Sequence, residues 1–176
     1  MNTAALQACA RLETKRHRRE RTNYAIALHA AALGFSVLPL YDNKRPAVKW
    51  KRLQTERATA AELAEWFVDN DYTPGIITGE MSGIVAVDID HVDALDAYLD
   101  GPNVESDVMQ RTPRGWHYIY THPGERTPNR QRVGGAMLDV RGDGGYVVAY
   151  DDVLRWTALG VATGPVYSAP RLCEYA

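Results

Sequence analysis

The stretch Gly83–Asp90, GIVAVDID, constrains the fold more than any other part of the chain. Its apolar, β-branched run has the composition of a buried strand, and it ends in two carboxylates one residue apart. Residues i and i+2 of a strand share a face, and the rise is about 3.3 Å per residue, so Asp88 and Asp90 project together roughly 6 to 7 Å apart at Cα. Ile89 between them turns to the opposite face, where a core belongs. Two bare carboxylates this close repel each other. A hard divalent cation relieves the repulsion, because Mg²⁺ and Mn²⁺ take oxygen ligands and leave positions for water and phosphate. The competing explanation is a pair of turn-forming or helix-capping aspartates ahead of HVDAL, with Asp90 as the cap.

The remaining segments supply one domain around that strand. The chain has 176 residues and is 45% hydrophobic, enough for a single core of ordinary size. Residues 1–22 form a charged leader, and residues 23–170 form the domain. NYAIALHAAALGFSVLPL predicts a helix capped by Asn23, a stop at Gly34, and a strand Phe35–Leu38 ended by Pro39. TAAELAEWFVDN predicts an amphipathic helix with Leu63, Trp66 and Phe67 on one side. A short strand precedes a turn at Gly79–Gly83, and a helix VDALDAYL follows Asp90. Further on come a strand near Val108, a turn at Thr112–Gly115, a strand WHYIY, and AMLDVRGDGGYVVAY read as a hairpin across a Gly-rich turn. Strands and helices mix without strict alternation, which predicts an α+β sheet domain rather than a doubly wound parallel one.

Cys9 and Cys173 lie near opposite ends with no ligand spacing, so neither a disulfide framework nor a zinc site is expected. No apolar stretch approaches the ~20 residues of a membrane span, and the first residues lack a signal-peptide core, which predicts a soluble, cytoplasmic protein. The net charge of −2 argues against a general polyanion binder. The charges are nonetheless segregated. Basic residues crowd the leader and the Lys44–Arg57 segment, whereas many acids fall between Asp88 and Asp107.

Other parts of the chain converge on phosphate chemistry. Asp139 ends a second apolar segment, AMLD, and could supply a third carboxylate. Three carboxylates from two strands can support two cations, typically ~3.5–4 Å apart, that clamp an in-line phosphoryl displacement. In TPRGWHYIY, Arg114, His117 and the backbone amides around Gly115 can together grip a triphosphate. Arg141 stands beside Asp139 in VRGDGGYVV, whose glycines permit close backbone approach. Each feature has a plainer explanation alone: a cross-strand histidine, a turn aspartate, a hairpin glycine.

In this order and spacing, GIITGEMSGIVAVDID, TPRGWHYIY and LDVRGDGGYVVAY together resemble the bifunctional DNA primase/polymerase (prim-pol) domain of the archaeo-eukaryotic primase superfamily, a phage and plasmid type. The likeness also takes in YAIALHAAALGFSVLPL and Lys44–Trp50, spanning roughly Tyr24 to Tyr150. It implies an RRM-like sheet carrying the catalytic acids, packed against an N-terminal αβ unit. It implies that Asp88, Asp90 and Asp139 hold two Mg²⁺ or Mn²⁺ ions, that His117 contacts the incoming nucleotide's phosphates, that Arg141, Gly142, Gly144 and Gly145 form the adjoining loop, and that Thr78 and Gly79 line the nucleotide pocket. Gly115 stands where some relatives carry a serine. Tyr150, Asp151 and Asp152 replace the prolines and serine common after the third motif. No Walker A sequence is present, so a replicative helicase would be a separately encoded partner or would belong to a longer chain.

The expected activity is therefore template-directed nucleotidyl transfer, with single-stranded DNA template, primer and nucleoside triphosphates as partners. Lys44, Lys49, Lys51 and Arg52 are expected to track nucleic-acid backbone. The rivals are a nucleotide-sugar glycosyltransferase with a DxD metal site, a non-catalytic RRM-like nucleic-acid-binding module, and a metal-dependent nuclease.

Overall fold

A computed structural model of the chain describes residues 19, 22–91, 106, 108–133 and 138–156. Helix α1 runs over 22–32. The strands are β1 (Val37–Leu40), β2 (Thr73–Ile77), β3 (Ile84–Ile89), β4 (Met109–Arg111), β5 (Trp116–Thr121), β6 (Leu138–Arg141) and β7 (Tyr146–Val148). Helix α2 (Ala60–Ala64) continues as a wider π-type turn over Glu65–Asp69. The fold is α+β. β1, β2 and β7 form one antiparallel sheet in the order β1-β2-β7, and the other four form a second in the order β4-β5-β3-β6. Taken in chain order, the four strands of the second sheet run second, third, first, fourth across it, the arrangement of an RRM-like sheet.

β3 is buried on both faces, which explains why its sequence is apolar without alternation. Ile84 and Ala86 join the main core with Ile26, Ala27 and Ala30 of α1, Val37 and Leu38 of β1, and Ile76 of β2. Val85, Val87 and Ile89 face the other way, into a second cluster with Tyr118, Tyr120, Leu138 and Val140. All five β3 residues from Ile84 to Ile89 other than Asp88 are at most 1% exposed, and burying a Val or Ile side chain contributes about 1.5–3 kcal/mol each. The strand is thus the shared wall of two cores. Its main-core face carries Ile84 and Ala86 and then, by the same alternation, Asp88.

Several local expectations are met. α1 stops at Gly34, whose φ of 87° lets the Gly34 N–H reach the Ala31 carbonyl while the Phe35 N–H reaches Ala30. The expected apolar side of α2, Leu63, Trp66 and Phe67, is buried, and Thr59 and Glu62 add a reciprocal capping box that was not among the sequence expectations.

Others need correction. Asn23 lies inside α1 rather than capping it, and its amide donates to the Tyr72 carbonyl at 3.0 Å, tying the helix to the start of β2. Pro39 does not end β1 but pairs with Pro74 within it, which an edge strand tolerates. AMLDVRGDGGYVVAY is not a hairpin: β6 pairs with β3 and β7 pairs with β2, so the Gly-rich turn carries the chain from one sheet to the other. Two anchors cause the divergence. The Asp143 carboxylate accepts from the Thr127 N–H at 2.7 Å and the Glu80 N–H at 3.2 Å and lies 3.0 Å from His122 Nε2, while Thr78 N–H donates to the Gly145 carbonyl at 3.0 Å and starts the β2–β7 pairing. The predicted helix VDALDAYL lies outside the described residues, as do nearly all of the charged leader and the two cysteines. No helix among the described residues is long and apolar enough to cross a membrane.

Candidate active site

The register of the second sheet sets four polar side chains in one row. Gln110 of β4 is opposite His117 of β5, His117 is opposite Asp88 of β3, and Asp88 is opposite Asp139 of β6. Directly opposed residues place their Cβ atoms about 4.5–5.5 Å apart on one face, so the row is continuous. His117 Nε2 lies 3.3 Å from Asp88 Oδ1. Arg141, two residues beyond Asp139 and so on the same face, brings its guanidinium to 2.7 Å from Asp139 Oδ2 and 3.7 Å from Asp88 Oδ2.

The row opens into a cleft of about 470 Å³. Asp88, Asp90, His117 and Arg141 line it on the second-sheet side, Thr112 and Arg114 come from the β4–β5 turn, and Gly144 to Val148 close it from the first sheet. Lys44 reaches it from the loop after β1. Lys44 adopts a φ of 66°, unusual for a residue with a Cβ, and its carbonyl accepts from the Tyr146 hydroxyl at 3.1 Å. A neighbour in the cleft wall thereby holds the strained residue in place.

Burial alone would push the Asp88 carboxyl up. The hydrogen bond from His117 and the positive fields of Arg141 and Lys44 outweigh it, leaving the group below the ordinary carboxylate range. The Tyr150 phenol is pushed up, by burial first and then by the negative charges of Asp88 and Asp90. Tyr150 also stands against His117, with ring centroids 6.3 Å apart. The cleft floor is therefore anionic under a cationic rim.

The structure sorts the residues predicted from sequence into three groups. Asp88, Asp90, His117, Arg114 and Arg141 share the cleft, and Lys44, expected on a nucleic-acid track, shares it too. Asp139 faces the same side but is held by Arg141 and by the Arg132 N–H at 3.0 Å. The expected meeting of three acids is thus interrupted by a guanidinium, and among the described residues no three His, Cys, Asp or Glu side chains converge closely enough to hold a metal ion. The donor chemistry still suits a hard divalent cation: carboxylate oxygens face each other across adjacent strands, and a positive group already neutralises them.

The third group does other work. Thr78 is 2% exposed, and its hydroxyl donates to the Gly142 carbonyl at 2.7 Å. With Gly79, where a Cβ would strike Asp143, it braces the Gly-rich turn from behind instead of lining the pocket. Gly115 gives its N–H to Thr112 Oγ1 at 2.9 Å, so that amide is engaged within the turn. Glycine is required there because a Cβ would run into the Ile89 carbonyl oxygen. Arg52 is occupied by ion pairs with Glu56 and Glu62, whereas Lys49 and Lys51 are exposed.

A family model for the bifunctional DNA primase/polymerase N-terminal domain (Prim-Pol) matches residues 27–171. The chain belongs to the Prim-Pol family. The family is one of DNA primases and polymerases, nucleotidyltransferase-type enzymes whose substrates are DNA and nucleotides. It leaves the nucleotide-sugar transferase reading without support. A search among curated proteins found no match.

Sequence reasoning passed over Gln110, Asn129 and Tyr146. Asn129 lines the cleft and accepts the Gly142 N–H at 2.9 Å, holding the turn between the sheets. For Gln110 a signal existed. A turn at Thr112–Gly115 joining two antiparallel strands sets Gln110 against His117, and a glutamine there sits at an inward position of the strand.

Proposed function

We propose that this Prim-Pol domain performs template-directed nucleotidyl transfer at the Asp88 cleft, in the replication of a phage or plasmid. The observation that carries the reading is the register that aligns His117, Asp88 and Asp139 on one face, at a cleft shared with Lys44, Arg114 and Arg141.

In the reaction, a primer 3′-hydroxyl gives up its proton to solvent as its oxygen bonds to the nucleotide's α-phosphorus, while the bond to the bridging oxygen breaks and pyrophosphate departs. Asp88 and Asp90, joined by Asp139 once Arg141 turns to the phosphates, would hold the Mg²⁺ or Mn²⁺ ions. Bound there, the metals supply acidification of the attacking hydroxyl and neutralisation of the leaving group. The chain's own residues contribute mainly position and charge. Arg114, Arg141 and Lys44 are cations around the cleft and suit the β- and γ-phosphates. His117 can donate an N–H to a phosphate oxygen. Gly144, with a φ of 71°, gives the turn beside the cleft its left-handed bend, and Gly145 lets it pack against Asn129 and Thr78. Lys49 and Lys51 remain as exposed cations for the template backbone.

The test is a primer-extension assay on single-stranded template with Mn²⁺ or Mg²⁺ and labelled ribo- and deoxynucleotides. Asp88→Ala and Asp139→Ala should each lower extension by about 10³-fold or more while circular dichroism is unchanged, on the scale of losing transition-state charge stabilisation. An active Asp88→Ala protein rules the proposal out. A protein that binds single strands with salt dependence but ignores Mn²⁺ would be the non-catalytic module instead.

A further inference from the structure

We propose that Gln110 is a positioning residue that fixes His117 as its Nε2–H tautomer and thereby makes the ring a hydrogen-bond donor toward the cleft. The functional part of this inference rests on the nucleotidyl-transfer reading above; the tautomer does not.

Gln110 is 0% exposed, although β4 is an edge strand. A buried primary amide must satisfy both of its ends, and here the backbone dictates which end is which. Gln110 Oε1 accepts the Tyr150 N–H at 3.0 Å, and Gln110 Nε2 donates to the Val148 carbonyl at 2.7 Å. Neither backbone group can exchange roles. Rotating the amide by half a turn would set N–H against N–H and oxygen against oxygen. The second N–H of the amide is left pointing at His117 Nδ1, 2.6 Å away.

That contact forms only if Nδ1 presents its lone pair. The ring proton then sits on Nε2, which faces the acceptor Asp88 Oδ1 at 3.3 Å. Both sides of the imidazole agree. In the opposite tautomer an N–H would face the Gln110 N–H, and a lone pair would face a carboxylate. Phosphate oxygens are acceptors, as carboxylate oxygens are, so the same Nε2–H can pass from Asp88 to a bound nucleotide with no proton changing hands.

The amide also links the ring to the packing of the two sheets. Val148 ends β7 of the first sheet and Tyr150 follows it, so the tautomer of a second-sheet residue depends on backbone delivered by the first. A staple between the sheets is the plainer role for the same bonds, and the experiment has to separate the two.

The 176-residue protein with ¹⁵N-labelled histidine is examined by two-bond ¹H–¹⁵N correlation at neutral pH, with His117→Gln to assign the ring. The wild type should show His117 protonated at Nε2 with a bare Nδ1. Gln110→Glu sets an acceptor oxygen against Nδ1 and should place a proton there. Gln110→Met removes the partner; the KM for nucleotide in primer extension should rise about tenfold, the size of one lost hydrogen bond, with a smaller change in kcat per folded molecule. A mere staple would lower the melting temperature of Gln110→Met and leave KM and the Gln110→Glu ring unchanged. A wild-type ring protonated at Nδ1, or an unaltered ring in Gln110→Glu, overturns the assignment, and the wild-type spectrum decides if the variants do not fold. A wild type with the Nε2–H ring but no primer extension would sink the catalytic reading and leave the tautomer standing.

Discussion

Arg141→Met tests how the site tolerates two facing carboxylates. Arg141 touches Asp139 at 2.7 Å and Asp88 at 3.7 Å, and those acids are directly opposed on β6 and β3. Side chains in such a pair stand about 5 Å apart, and at an effective dielectric of about 20 two negative charges there repel by roughly 3 kcal/mol. The variant also loses a charge-assisted hydrogen bond of about 1.5–3 kcal/mol. Relief comes from outward rotation of Asp139, whose side chain is 24% exposed, and from the desolvation no longer imposed on the guanidinium. A net loss of about 2 kcal/mol remains, or roughly 4–8 °C in melting temperature for a chain of this size. Thermal melts followed by circular dichroism at neutral pH, in chelator and in millimolar Mn²⁺, measure it. Mn²⁺ should restore most of the loss in Arg141→Met and stabilise the wild type less, because in the wild type the cation competes with the guanidinium. A variant as stable as wild type, or one equally unstable with and without Mn²⁺, refutes the reasoning.

Three further outcomes follow from the same geometry. The folded Asp88 carboxyl lies below its ordinary range, so its contribution to stability is fully present above the unfolded value near pH ~3.9 and is lost as pH falls through the lower folded value; urea midpoints from pH 7 down to about 2 should show a steeper fall in wild type than in Asp88→Asn. Gly115→Ala drives a Cβ into the Ile89 carbonyl oxygen and should cost about 3 kcal/mol or more by urea denaturation, since the obstacle is backbone and cannot rotate away. Thr59→Ala removes the reciprocal capping box of α2 and should cost about 1 kcal/mol in the same assay, with primer extension unaffected because Thr59 does not line the cleft.

Local chemistry was legible along the chain. Glycine after an Ala/Leu helix stopped it, a β-branched run made a strand, and a Thr–Gly turn made a hairpin, because these depend on residues within a few positions of one another. The strand-end carboxylates were legible too, since the alternation of a strand fixes which residues share a face whatever the fold. The acidic cleft floor and its histidine were therefore nameable from Asp88, Asp90 and His117. The turn at Gly142–Gly145 was not. Its composition suits a hairpin, and only Asp143 and Thr78, bonded to segments distant in sequence, send β6 and β7 to different sheets.

What the sequence alone determined is the set of chemical groups and their phase along each strand: carboxylates, an imidazole and guanidiniums at the ends of apolar runs, and membership of the Prim-Pol family that the ordered motifs announce. Tertiary structure decided who stands opposite whom. Strand pairing set Gln110, His117, Asp88 and Asp139 in a single row, brought Lys44 in from a distant loop, and put Arg141 between two acids where the sequence suggested an ion. The physical reason is range. Torsional preference and side-chain alternation act over a few bonds and survive in any context, whereas the partner of a buried charge or amide is chosen by which backbone the fold carries to within hydrogen-bonding distance.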